Sequence, residues 1–113
     1  MKSDQVVAAL SALAHEYRLK VYRLLVKAGP EGSAAGAIAD RLDMPPSSLT
    51  FHLQILQRAG LITRRRMSRQ LIYAADFANM NGLVDFLTEN CCGGESCVTA
   101  GLPRTVKPSK RSA

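Results

Sequence analysis

A mainly α-helical domain with one small β-hairpin is what this 113-residue sequence predicts. Three observations predict it. Four stretches carry apolar residues at helical spacing, and glycine and proline punctuate the chain between them. One pair of short strand-like segments stands between the last two of those stretches. The length fits a single domain. Hydrophobic residues at 47%, with 5% aromatics and no Trp, give it a modest and mostly aliphatic core.

The first helix opens at Ser3, with Ser3 or Asp4 as N-cap and Val6, Leu10 and Leu13 as its apolar stripe. The second runs from about Glu16 to Ala28; Leu19, Tyr22 and Val26 share one side, and Val21, Leu24 and Leu25 widen it. Gly29-Pro30-Glu31-Gly32 stops it, and Ser33 caps a short alanine-rich helix through Leu42. After the tight break Asp43-Met44-Pro45-Pro46, a fourth helix starts at Pro46 or Ser47 and ends at Gly60. Proline suits a first helical turn, and glycine suits the position after the last. Residues 61–66 and 71–75 read as two strands joined through Met67-Ser68-Arg69-Gln70. A last helix over about residues 77–90 carries Phe77, Met80, Leu83, Val84 and Leu87 at helical spacing. Helix, helix, short helix, turn, helix, hairpin, helix is the order of a winged helix-turn-helix. Residues 1–97 make up that domain. Residues 98–113 hold Gly, Pro, Ser, Lys and Arg with little to bury, and are expected to form a disordered basic tail.

The formal charge is +6, but Arg104, Lys107, Lys110 and Arg111 lie in the last ten residues, so the rest is close to neutral. No apolar run approaches the roughly 20 residues that a membrane span requires. Met1-Lys2-Ser3-Asp4 has no apolar stretch behind it of the kind a secretory signal carries. Three cysteines cannot pair off into a disulfide framework. The chain is expected to be cytoplasmic, and its small size makes subunit pairing an expectation as well.

Between Asp43 and Asp76 there is no carboxylate, while Arg58, Arg64, Arg65, Arg66 and Arg69 all fall there. An acid-free basic stretch over a helix and a hairpin suits phosphate contact, because each phosphate neutralised releases counterions. At 100° per residue, Leu49, Leu53 and Leu56 take the core face of the fourth helix. Opposite them fall Ser47, Phe51, Gln54 and Arg58, with Ser48 and Thr50 on the flanks. Recognition helices read base edges with their first turns, which favours Ser47, Ser48, Thr50 and Phe51. Small hydroxyls bond bases or phosphates, and an outward Phe touches a thymine methyl; the alternative for Phe51 is packing on a neighbouring element. His52, beside the leucine stripe, reads as a half-buried structural residue, and His15 belongs to the start of the second helix. The hairpin is the wing. Arg69 near its tip and some of Arg64, Arg65 and Arg66 are expected on phosphates or in the minor groove; strand alternation keeps the three from pointing one way.

Residues 90–97 read Asn90-Cys91-Cys92-Gly93-Gly94-Glu95-Ser96-Cys97. Two adjacent thiols and a third five residues on, joined by Gly-Gly, can fold three sulfurs around one ion. Closed zinc sites take four ligands, for which Glu95 is the fourth at hand. Three sulfurs alone better suit a soft thiophilic ion, As(III) first and Sb(III) as its chemical twin. The alternative is a set of exposed reactive thiols. With no Cys-x-x-Cys pair and no phosphate-cradling glycine loop, the sequence gives no reason to expect an enzyme, and no organic cofactor is implied.

The stretch Leu13-Ala14-His15-Glu16-Tyr17-Arg18-Leu19-Lys20-Val21-Tyr22-Arg23-Leu24-Leu25 resembles the signature second helix of the ArsR/SmtB metalloregulatory repressors. Ser47-Ser48-Leu49-Thr50-Phe51-His52-Leu53, followed by Ala59-Gly60-Leu61-Ile62, resembles their recognition helix and entry to the wing. The resemblance spans residues 4–97. It implies a homodimer paired through its first and last helices and bound to double-stranded operator DNA until an inducer releases it. Many arsenic-sensing members carry Cys-Val-Cys at the start of the third helix, where this chain reads Ser33-Ala34-Ala35-Gly36-Ala37-Ile38. Zinc-sensing relatives place Asp and His on the last helix, which here offers Asp76, Asp85 and Glu89 but no histidine. Cys91, Cys92 and Cys97 resemble the branch with arsenic cysteines at the end of that helix. The expectation is an arsenite-responsive homodimeric repressor, the alternative a redox or reactive-sulfur sensor on the same fold.

Overall fold

The computed structural model describes residues 1–94. The described residues fall into two units, one ending at Leu83 and the other beginning at Val84. Its elements are α1 (Ser3–Leu13), α2 (Glu16–Ala28), β1 (Ser33–Ala34), α3 (Ala35–Leu42), α4 (Pro46–Arg58), β2 (Ile62–Met67), β3 (Gln70–Ala75) and α5 (Phe77–Thr88), then a 3-10 turn, Cys91–Gly94. This is a winged helix-turn-helix. No helix among the described residues is long and apolar enough to cross a membrane.

Expectations change on α1, at Ser33 and, below, on α2. The N-cap of α1 is Lys2 rather than Ser3 or Asp4, and its backbone N–H donates to the Gln5 side chain at 2.8 Å. The inward face of α1 is Val6, Ala9 and Ala12, while Val7 and Leu10 stay exposed. With apolar residues nearly all round, the side with small residues goes inward because it lets the helix sit close to its neighbours. Ser33 is no helix cap: Ser33–Ala34 is a strand pairing antiparallel with Tyr73 and Ile72, and α3 starts from Ala34. The hairpin is therefore part of a three-stranded sheet in the order β1-β3-β2.

The core of the first unit gathers Val21, Leu25, Ile38, Leu49, Leu53, Leu56 and Leu61, all essentially sealed from water. Gly32 admits the chain into β1. Its φ is +75°, and a Cβ there would stand 2.2 Å from the carbonyl oxygen of Tyr73. Leu19 and Val26, read from the sequence as core-facing, are exposed. Of the apolar residues of α5 only Leu83 is buried.

Candidate nucleic-acid interface

The turn between α3 and α4 is built from the backbone outward. Asp43 ends α3 at φ +51°, a left-handed position that Asp tolerates. The Met44 N–H donates to Ala39 O at 3.0 Å, and the buried Met44 side chain anchors the turn. Pro45 and Pro46 then set the first turn of α4, where a missing N–H costs nothing. No side chain caps α4. The N–H groups of Ser47 and Ser48 therefore remain for water or an anion, and the helix dipole favours an anion there.

Leu49, Leu53 and Leu56 hold α4 on the core with 1% exposure or less. That fixes the opposite face. Ser47, Ser48, Thr50, Phe51 and Gln54 are all exposed, Phe51 at 58%. The Phe51 ring stands edge-on to His52 of the same helix, 5.7 Å between centroids. Thr50 donates its hydroxyl to Pro46 O at 2.9 Å, which leaves its oxygen lone pairs and methyl group for a partner.

On the wing, the register separates the arginine triplet. Arg64 stands opposite Tyr73 and Arg66 opposite Leu71, on one face, while Arg65 stands opposite Ile72 on the other. Arg65 turns back and donates from Nη2 to Glu31 O at 2.7 Å. It is a tether within the fold; all three arginines are exposed, and Arg64 and Arg66 are the pair on the opposite face of the wing. Arg69 sits in the two-residue turn between the strands, beside Ser68 at φ +57°. Together with Gln70 it lines a cavity of about 610 Å³ whose other wall is the start of α3, Ala35 to Ala37, with Asp40 as its acid. The α3 N-terminus has no side-chain cap either. The sequence reading set the cap of this helix at Ser33, one residue before its position at Ala34, and placed Gln70 in the hairpin turn without a site role.

Behind α4 lies a pair of rings. His15 is the N-cap of α2, its Nδ1 accepting from the Tyr17 N–H at 3.1 Å. Its ring centroid is 4.8 Å from that of His52. His52 is buried, with 8% exposure, and its Nδ1 has no hydrogen-bond partner. Burial, then the neighbouring His15 and Arg18, hold the His52 imidazole below its ordinary pKa. Tyr22 is the other buried polar group: burial, then the Asp76 carboxylate, push its hydroxyl up, and that hydroxyl also has no partner.

At the end of α5, Thr88 folds its hydroxyl onto Val84 O at 2.9 Å. Asn90 and Cys92 both take left-handed backbone, at φ +59° and +56°. Cys91 is half-buried and Cys92 exposed, side by side in the short turn. Cys97, the third sulfur of the expected set, and Glu95 lie outside the described residues. Among the described residues no three metal-ligating side chains come together.

A helix-turn-helix domain family matches residues 13–65, which run from the end of α1 to the middle of β2. The transcriptional activator HlyU of Vibrio cholerae is 27% identical over 90 residues, 80% of this chain and 81% of that protein. The homodimeric winged helix-turn-helix DNA-binding domain of a possible ArsR-family regulator from Mycobacterium bovis superposes with a TM-score of 0.61. It is 30% identical, over 77% of this chain and 81% of that one. The chain belongs to the ArsR family. Within that family, the putative arsenical resistance operon repressor ArsR of Halobacterium salinarum is 42% identical over 60 residues, 53% of this chain and 46% of that protein. ArsR-family membership makes α3–α4 the helix-turn-helix of a transcriptional regulator and β2–β3 its wing.

Proposed function

We propose that this ArsR-family regulator is a homodimeric repressor that leaves its operator when As(III) is captured by Cys91, Cys92 and Cys97. The observation that carries the reading is the placement of Cys91 and Cys92 next to each other in a tight turn directly after α5. Adjacent thiols flanked by Gly93 and Gly94 suit a small thiophilic ion, and Sb(III) would fit the same sulfurs. The likeness to an arsenical resistance repressor supports it from outside the chain.

Exposed apolar side chains supply the means of pairing. Val7 and Leu10 stand outward on α1; in the second unit, Val84 and Leu87 do so on α5. The Mycobacterium bovis domain is a homodimer. A pair of such subunits sets two α4 helices into major grooves about one helical turn apart. Three thiols captured by one As(III) give up their protons, the hydroxides of the arsenite leave as water, and the three As–S bonds tie the end of α5 down. If α5 is part of the dimer contact, restraining it changes the spacing of the two reading helices. A coupling of about 1–3 kcal/mol is usual for such linkage, and near-complete switching asks for about 5.5.

Vicinal thiols with one of them exposed also favour a second reading, oxidation or persulfide formation at Cys91 and Cys92. Gel shifts on the regulator's own upstream DNA, with arsenite, antimonite, zinc and peroxide titrated separately, test both. Release by arsenite and antimonite, with a one-arsenic adduct in the mass spectrum, supports the first reading. Release by peroxide alone, with a disulfide in its place, supports the second.

A further inference from the structure

The chain holds two histidines, and the fold brings their rings together, tilted at 44° with centroids 4.8 Å apart, at the joint between α2 and the recognition helix. We propose that His15 and His52 are the positioning residues of α4, holding it against the start of α2 only while the buried His52 ring is neutral. DNA binding then weakens as the solution becomes acidic. The proposal rests on the DNA-binding reading of α4 and deepens it.

The two rings play different parts. His15 accepts the Tyr17 N–H at Nδ1 and so caps α2 with its ring, which fixes the ring in place beside His52. His52 has its Nδ1 out of water and unpaired, so charging it would bury a cation without a partner. The rings are 4.8 Å apart, and a charge on one opposes a charge on the other.

The surroundings offer little relief. From α2, Arg18 adds a positive charge near His52 while its Nε donates to Ala12 O at 2.6 Å. Glu16 is engaged by Lys20 at 3.2 Å, and Lys20 also stands over the Tyr17 ring at 5.4 Å. From the turn before α4, Asp43 is the acid on this side. It lines a cavity of about 220 Å³ with Tyr17, Ser48 and His52. On α4 itself Phe51 meets His52 edge-on at 5.7 Å. His52 shares α4 with Ser47, Ser48, Thr50, Phe51 and Gln54, so a displacement of α4 at His52 displaces them as well.

The sign of the effect follows. With α4 undocked, a histidine takes its proton near pH 6.5. The docked His52 resists it to lower pH because of burial, His15 and Arg18. The docked arrangement is fully favoured above about 6.5 and loses its margin as the pH falls through the window below.

The test uses a labelled duplex of about 30 base pairs that the full chain selects from a random pool at about pH 8. Fluorescence anisotropy at constant salt then gives affinity from about pH 8 to 5.5. Wild-type affinity should fall about tenfold over that range. His15→Asn keeps a capping acceptor, and His52→Gln keeps a neutral polar side chain. The double variant should bind at about pH 8 within threefold of wild type and should lose the acid limb. Proton NMR of the two wild-type rings needs no variant, and the His52 signal should titrate below the ordinary histidine range. A flat wild-type profile, an acid limb unchanged in a folded double variant, or a His52 signal titrating at or above the ordinary range overturns the proposal. A pool that enriches no duplex at any pH overturns the DNA-binding reading, and the proposal with it.

Discussion

Arg65 and Glu31 are 34 positions apart, yet the Arg65 guanidinium donates to the Glu31 carbonyl at 2.7 Å. The bond crosses the face of β3 on which Ile72 lies and ties the wing to the loop entering β1. One arginine of the triplet is thereby assigned to the fold, and two are left for a partner.

Arg65→Ala should cost about 1 kcal/mol of stability, the ordinary worth of such a bond, in urea unfolding. Arg66→Ala should leave stability within about 0.5 kcal/mol. It should instead weaken DNA binding evenly across sequences and lower the salt slope by about one, as loss of a phosphate contact does. If Arg66→Ala and Arg69→Ala both leave affinity and salt slope unchanged, the wing does not touch the backbone.

Phe51→Ala removes an exposed ring, so the unfolding midpoint should barely move. Discrimination among operator variants should relax by about 1–3 kcal/mol at one base step if the ring meets a thymine methyl. Thr50→Ser, which keeps the bond to Pro46 O and removes only the methyl, should have a smaller effect of the same kind. A competition assay over single-base operator variants reads both.

Much of this was legible in the sequence because the relevant signals are local. The leucine stripe of α4, the prolines at its start and the glycine beyond its end are separated by one helix length. They fixed both its core face and the exposed row opposite. The short strand β1 was not legible. Two residues carry no periodicity, and Ser33 followed by alanines reads equally well as a helix cap; only the long-range pairing with Tyr73 and Ile72 decides. The stripe of α1 was misread for a related reason: a helix apolar on most sides does not say which side faces inward. Arg65 and its carbonyl partner, and the meeting of the His15 and His52 rings, join residues more than 30 positions apart, which no local pattern encodes.

Gly32→Ala should be costly. The left-handed φ and the 2.2 Å approach of a Cβ to Tyr73 O leave no room without moving β1 from β3. A loss of about 2–3 kcal/mol is expected, in line with other overpacked sites. Gly36→Ala, whose Cβ would meet nothing, is the control and should be neutral or mildly stabilising.

Val7→Glu on α1 should shift sedimentation from dimer towards monomer while the helical circular dichroism is kept, since Val7 is 61% exposed. Leu87→Glu on α5 should do likewise. Unchanged sedimentation in both variants would place the dimer contact on other faces.

Arsenite-driven release of labelled operator, compared across Cys→Ser variants, addresses the central claim most directly. Serine keeps the shape of the side chain but is a poor ligand for a soft ion. Cys91→Ser, Cys92→Ser and Cys97→Ser should each bind operator as the wild type does and respond poorly to arsenite. The triple variant should stay bound at every arsenite concentration that empties the wild type. Full release of the triple variant would contradict the account.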